Sequence, residues 1–147
     1  KSKLIVVDPK PKHRDFYKNV TLITPNHKEA HEMANIAEDA EDADIDMVGK
    51  KLLEELNSNI LITRGEKGMS LFEKNGKITN IPTFAKEVYD IVGAGDTSVA
   101  TVALALVSGA DLEEAAIIAN HAAGIKVGKV GTSTVSIEEL KESIENA

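Results

Sequence analysis

The chain is 147 residues long, has no Cys and no Trp, and sets 17 Lys and Arg against 24 Asp and Glu, a formal charge of −7. That length is about one domain with a real core, and the lack of Cys excludes a disulfide framework and any thiolate metal site. The negative balance excludes a broad surface for nucleic acid or anionic lipid, but leaves room for a local basic pocket around a phosphorylated ligand.

Taken in order, Leu4 to Asp8 is a continuous apolar, mostly β-branched run closed by Asp-Pro, which suits a buried strand of a parallel sheet. Val20 to Thr24 predicts a second such strand, and His27 to Ala34 has helical composition directly after it. A carboxylate-rich stretch, Glu38 to Asp46, reads as a loop or weak helix entry. Met47, Leu52, Leu53 and Leu56 share one helical stripe, which predicts a helix over 46–57 with those residues inward. Asn59 to Thr63 returns as a strand, and Gly68 to Glu73 with Lys77 to Pro82 predicts a hairpin about a type I′ turn at Asn75-Gly76. The remainder is helical, over 95–108, 111–127 and 137–144, and Asp111 with Glu114 and Ser136 with Glu139 have capping-box spacing. With no internal repeat or low-complexity linker, residues 1–147 are expected to form a single α/β domain.

No apolar stretch, Val99 to Val107 included, is long enough for a bilayer, and no signal peptide precedes the first strand, so the expected location is the cytoplasm. The missing initiator Met reads as the mark of a piece of a longer protein. The four His residues, at 13, 27, 31 and 121, have no metal-ligand arrangement and read as surface residues. Lys10, Lys12, His13 and Arg14 make a small basic cluster that reads as a solvated loop or as a contact for a sugar phosphate.

The run Asp90-Ile91-Val92-Gly93-Ala94-Gly95-Asp96-Thr97 carries the most chemistry. Its small residues let the backbone approach a ligand where a strand gives way to a helix, and the free N–H groups of the first helical turn suit an anion. Asp96 stands beside that anion hole as a candidate base. The same run also serves as an ordinary Gly-rich turn, with Asp96 offsetting the helix dipole. Asn26 and Glu29 have the spacing of a capping box, and Gly65 and Gly68 that of a plain turn in a charged connection.

Tyr89 to Thr97 resembles the second signature of the ribokinase-like, or PfkB, family of carbohydrate kinases, and four further blocks are similar in order and spacing. These are Val7-Asp8-Pro9-Lys10, Leu22 to Glu29, Ile62 to Met69 and Val127 to Val135. Gly-Lys-Val-Gly-Thr-Ser-Thr-Val in the last block points to the branch of kinase domains found in the bifunctional heptose enzymes that make ADP-heptose for bacterial surface polysaccharide. Ile91 and Thr101 depart from the usual signature without touching the anion hole or the base. The resemblance covers nearly the whole chain but lacks the family's amino-terminal half, with its sugar-binding region and β-sheet lid.

The resemblance implies a ribokinase-like, three-layer Rossmann-type α/β fold with a mostly parallel central sheet, here partial, and the nucleotide at the carboxyl ends of its strands. It implies that Asp96 takes the proton from a sugar hydroxyl as that oxygen attacks the γ-phosphorus of ATP, with Gly93, Ala94 and Gly95 in the anion hole. Asn26, His27, Lys28 and Glu29 would lie against the ATP phosphates, with Glu29 reaching Mg2+ through water. Thr63, Gly65 and Gly68 would meet the phosphates and ribose, and Asn120 adenine, although a buried, satisfied polar residue explains Asn120 equally well. Asp90 and the loop 128–134 would bind a monovalent cation such as K+, or else are held by ordinary hydrogen bonds. The implied partners are ATP and a sugar phosphate, the substrate D-glycero-D-manno-heptose 7-phosphate, and the expected assembly of the parent protein a homodimer.

Overall fold

The apolar runs at the start of the chain form the parallel part of a five-stranded sheet in this computed structural model, which describes residues 3–37, 44–85, 87–131 and 133–147. β1 (Val6–Val7), β2 (Leu22–Ile23) and β3 (Asn59–Thr63) are parallel, in the register Val6 to Leu22 and Ile23 to Ile60. β4 (Met69–Phe72) and β5 (Ile78–Ile81) extend the sheet in the order β1-β2-β3-β4-β5. β1 and β2 are shorter than their apolar runs, because Thr21 and Leu22 both donate to the Ile5 carbonyl, and Ile5 donates to the Thr21 hydroxyl instead of extending the ladder.

The hairpin turn corrects the sequence reading. A type I′ turn needs positive φ at both central residues, and Asn75 is not among the positive-φ residues, whereas Gly76 has φ +90°. Gly76 donates to the Glu73 carbonyl and Glu73 donates to Lys77, so the left-handed Gly follows an ordinary tight turn. Asn59 reinforces it, its side-chain oxygen accepting from Lys74 at 2.8 Å.

Packing divides the chain into two units. One takes the described residues up to Arg64 together with Ser70–Asn80, and the other takes Gly65–Met69 and Ile81 onward. In the first, α1 (His27–Ala34) and α2 (Asp44–Leu56) cover the strands, with Ile23, Ala30, Met33, Ile45, Val48, Leu52, Leu56, Ile60, Ile62 and Phe72 in one buried cluster. Met47 is 56% exposed, contrary to the expected stripe. Ile45 and Val48 take the inward positions, since with Leu52 and Leu56 they keep the i, i+3, i+4 spacing that Met47 breaks. The carboxylate-rich stretch lies outside the described residues over 38–43.

The second unit is mainly helical: α3 (Ala94–Val107), α4 (Leu112–Val127) and α5 (Ile137–Glu145). The predicted capping boxes are present at Asp111 of α4 and Ser136 of α5. Two of the four His residues are buried, which corrects their reading as surface residues. His31 places Nδ1 3.0 Å from the Ala37 carbonyl, and His121 places Nδ1 2.8 Å from the Ser143 hydroxyl on α5 while its ring stacks on Phe84. Once its polar nitrogen is satisfied, an imidazole is a flat, largely apolar ring that a core accepts.

Candidate active site

In the first unit the predicted nucleotide residues gather at the carboxyl ends of β2 and β3. Asn26 forms an isolated parallel bridge with Thr63, and Thr63 donates to the Pro25 carbonyl at 3.0 Å. Asn26 is also the N-cap of α1: its Oδ1 accepts from the Glu29 N–H at 2.8 Å, and its own N–H donates to Glu29 Oε2 at 2.9 Å. The capping box is therefore complete. His27 is half-buried with its ring 4.5 Å from that of His31, and Lys28 is exposed.

In the second unit Asp90 to Asp96 form a turn that opens α3. Gly93 is the N-cap at φ +81°, a left-handed conformation that a residue with Cβ resists. It has no side chain to cap the helix. Ala94 donates to Ile91 and Thr97 to Gly93, which leaves the N–H groups of Gly95 and Asp96 for an incoming group. Gly95 and the side chain of Asp96, at the third helical position, are both exposed. An uncapped helix start with its positive dipole end and a free carboxylate beside it can hold an anion and receive a proton.

Asp90 lies half-buried behind this turn. Its Oδ1 accepts from Val92 N–H at 2.9 Å and its Oδ2 from Gly131 N–H at 3.1 Å. The Val92 bond, together with that from Gly131 and the charge of Lys126, holds the Asp90 carboxyl below its usual range. Ordinary hydrogen bonds thus join the turn to the loop after α4.

Lys126 was not foreseen. It is 2% exposed, donates from Nζ to the Gly131 carbonyl at 3.1 Å, and brings Cε to 3.5 Å from where a Cβ on Gly93 would stand. The signal was present: Ala115, Ala119, Ala122 and Lys126 fall at i, i+4, i+7 and i+11, and the three alanines are buried.

Gly65, Gly68 and Asn120 also belong to this unit. Gly65 has φ +59° with open space where a Cβ would be, so a ligand can approach it. Gly68 has φ +80° and a Cβ there would strike the Ile81 carbonyl, so packing alone accounts for it. Asn120 is buried and donates to the Pro82 carbonyl at 2.6 Å. A cavity of about 510 Å³ beside α4 is lined by Phe84, Gly124 and the carboxylates of Glu87, Glu139 and Glu142, and none of the predicted nucleotide residues lines it.

The model of the pfkB family of carbohydrate kinases matches residues 1–140. The chain belongs to this family. Among relatives, it is 49% identical over 137 residues to the bifunctional protein HldE of Geobacter metallireducens, covering 92% of this chain and 28% of that protein. The fold matches ribokinase from Thermotoga maritima with a TM-score of 0.84 at 27% identity, over 97% of this chain and 49% of the other. It also matches Arabidopsis thaliana ribokinase, solved with ribose and ATP, with a TM-score of 0.85 at 24% identity, over 97% of this chain and 47% of the other. The ribokinase-like fold expected from the signature blocks is the one observed, and the chain spans only part of each of these proteins. In a carbohydrate kinase, an open helix start and an adjacent carboxylate are the parts needed to hold a phosphoryl group and deprotonate a hydroxyl. Among the described residues no helix is long and apolar enough to cross a membrane.

Proposed function

We propose that the protein transfers the γ-phosphoryl group of ATP to a sugar hydroxyl, and that the acceptor is the C1 hydroxyl of D-glycero-β-D-manno-heptose 7-phosphate. The observation that carries the reaction class is the uncapped start of α3 with Asp96 exposed at its third position, in a chain of the pfkB family. The heptose assignment rests on the identity to a bifunctional HldE and on the Gly128-to-Val135 block.

Asp96 accepts the hydroxyl proton as the sugar oxygen forms its bond to the γ-phosphorus, and the bond from that phosphorus to the bridging oxygen breaks to release ADP. The N–H groups of Gly95 and Asp96 hold the charge on the transferring group. Asn26 to Glu29 and Thr63 line the phosphates. The residues present fit Mg2+ as a nucleotide-borne ion. Among the described residues no group of three or more His, Cys, Asp and Glu could hold a metal, and Mg2+ ordinarily keeps several waters while one or two carboxylates and the phosphates hold it. Glu29 spends Oε2 on the Asn26 N–H and keeps its other oxygen for such a water.

A second reading, a nucleotide-binding module without turnover of its own, is favoured by extent, since the chain accounts for 28% of the HldE relative. ADP release over a panel of sugars, measured on the full-length protein and on this chain alone, separates the two. No turnover of heptose 7-phosphate by the full-length protein sinks the substrate assignment, whereas turnover by the chain alone sinks the module reading.

A further inference from the structure

We propose that the Lys126 ammonium is the resident cation of the phosphoryl-binding turn, standing where a bound monovalent ion would otherwise be needed, so that the protein works without K+. The proposal rests on the kinase reading above and deepens it.

Four groups form a chain. Lys126 Nζ donates to the Gly131 carbonyl, Gly131 N–H donates to Asp90, and Asp90 accepts from Val92, one residue before the N-cap of α3. A carboxylate and a carbonyl are donors that a hard cation takes. Here a covalently attached cation already donates to that carbonyl, and its charge acts on Asp90. Its stem passes within contact of Gly93, so the charge lies behind the backbone that meets the phosphoryl group.

The energetics favour a purpose beyond tying down a loop. Burying an ammonium is costly unless it is paired and hydrogen-bonded. Lys126 suits the negative end of α4, but it also stands against the positive end of α3, where a fixed positive charge is the wrong sign for helix stability. It is the right sign for an arriving phosphate. Asp90 moderates it until then.

The test uses the full-length protein in K+ and in tetramethylammonium salts at equal ionic strength. The wild type should turn over equally in both, within about twofold, while Lys126→Met should lose about tenfold or more in kcat in either salt with little change in the KM for sugar. Lys126→Ala opens space for an ion, so it should show the same loss in tetramethylammonium and recover most of it in K+. A wild type that K+ activates more than about tenfold, or a Lys126→Met as fast as the wild type, overturns the proposal. Thermal unfolding decides it independently of turnover, and so apart from the kinase reading. K+ should raise the melting temperature of Lys126→Ala over its value in tetramethylammonium and leave the wild type and Lys126→Met unmoved. Lack of that specific rise overturns the proposal whatever the activity.

Discussion

The starts of α1 and α3 are built on opposite principles, although the sequence pointed both of them at ATP. At α1 the Asn26 and Glu29 side chains satisfy two backbone N–H groups between them, so those two donors are satisfied without a ligand. At α3 the N-cap is a glycine at positive φ with nothing to offer the first turn, and the N–H groups of Gly95 and Asp96 remain unspent. A closed cap converts side-chain chemistry into stability, whereas an open one keeps the backbone donors for what binds there. Damage at α1 should therefore appear first as lost stability, and damage at α3 first as lost rate.

The largest expected effect is at the open end. Asp96→Asn should lower turnover of the full-length protein by at least about a hundredfold while fold and ATP affinity stay nearly unchanged. Equal turnover in an ADP-release assay would remove Asp96 from the role of base. Gly95→Ala sharpens the contrast further, because Gly95 is helical and nothing lies within 4 Å of its added Cβ. Replacing a helical Gly by Ala should hold or raise stability by up to about 1 kcal/mol. The methyl would nonetheless crowd the face that meets the phosphoryl group, so turnover should fall at least about tenfold. A variant both more stable and fully active would show that nothing approaches that backbone.

At the closed end the order of effects should reverse. Asn26→Ala should cost about 1 kcal/mol of stability through the lost cap, read as a lower denaturation midpoint. Glu29→Gln keeps the box, since Gln also closes it, but removes the charge offered to a Mg2+-bound water. It should leave the midpoint unchanged and raise the Mg2+ concentration needed for half-maximal rate. If both variants shift only the midpoint, α1 is structural and its place at the nucleotide falls.

What was legible in the sequence was what short-range chemistry determines. The capping boxes at Asn26, Asp111 and Ser136 located three helix starts because each is a reciprocal pair within one turn. β3 matched its apolar run because it lies within the sheet, between β2 and β4. The reading failed where a residue's role depends on neighbours remote in sequence. His121 is buried because Phe84 and Ser143 come to it from either side. Lys126 shares the buried face of α4, but what it bonds shows only once the Gly131 carbonyl accepts from it. For Gly68 the sequence offers a plain turn or a ligand neighbour, and what it does not show is the Ile81 carbonyl that excludes a side chain there. The Asp90 turn was legible as a motif, but which of its groups were already spent was not.

The smallest effects belong to α5, whose start is closed like that of α1 and carries two titrating contacts. Glu139 donates no proton here: it accepts from Lys129 and from the Ser136 N–H, and these hold its carboxyl down, to about 2. Burial lowers His121 from its ordinary value of 6.5, with its Nδ1 against Ser143 of α5. Both groups have folded-state pKa values below those of the unfolded chain, so in the window between the two values the unfolded chain binds the proton more readily and stability falls as pH falls. The His121 contribution is present above about pH 6.5 and drains away as pH drops through its lowered folded value. That of Glu139 holds down to about pH 4.5 and is lost toward about 2. Amide exchange along α5 should therefore quicken in two steps on acidification. Lys129→Met should shift only the lower step, to higher pH, because the largest contribution lowering the Glu139 value is removed while His121 keeps its surroundings. A single step unmoved by that change would mean that α5 is held by its apolar contacts, with its closed start contributing nothing that pH can reach.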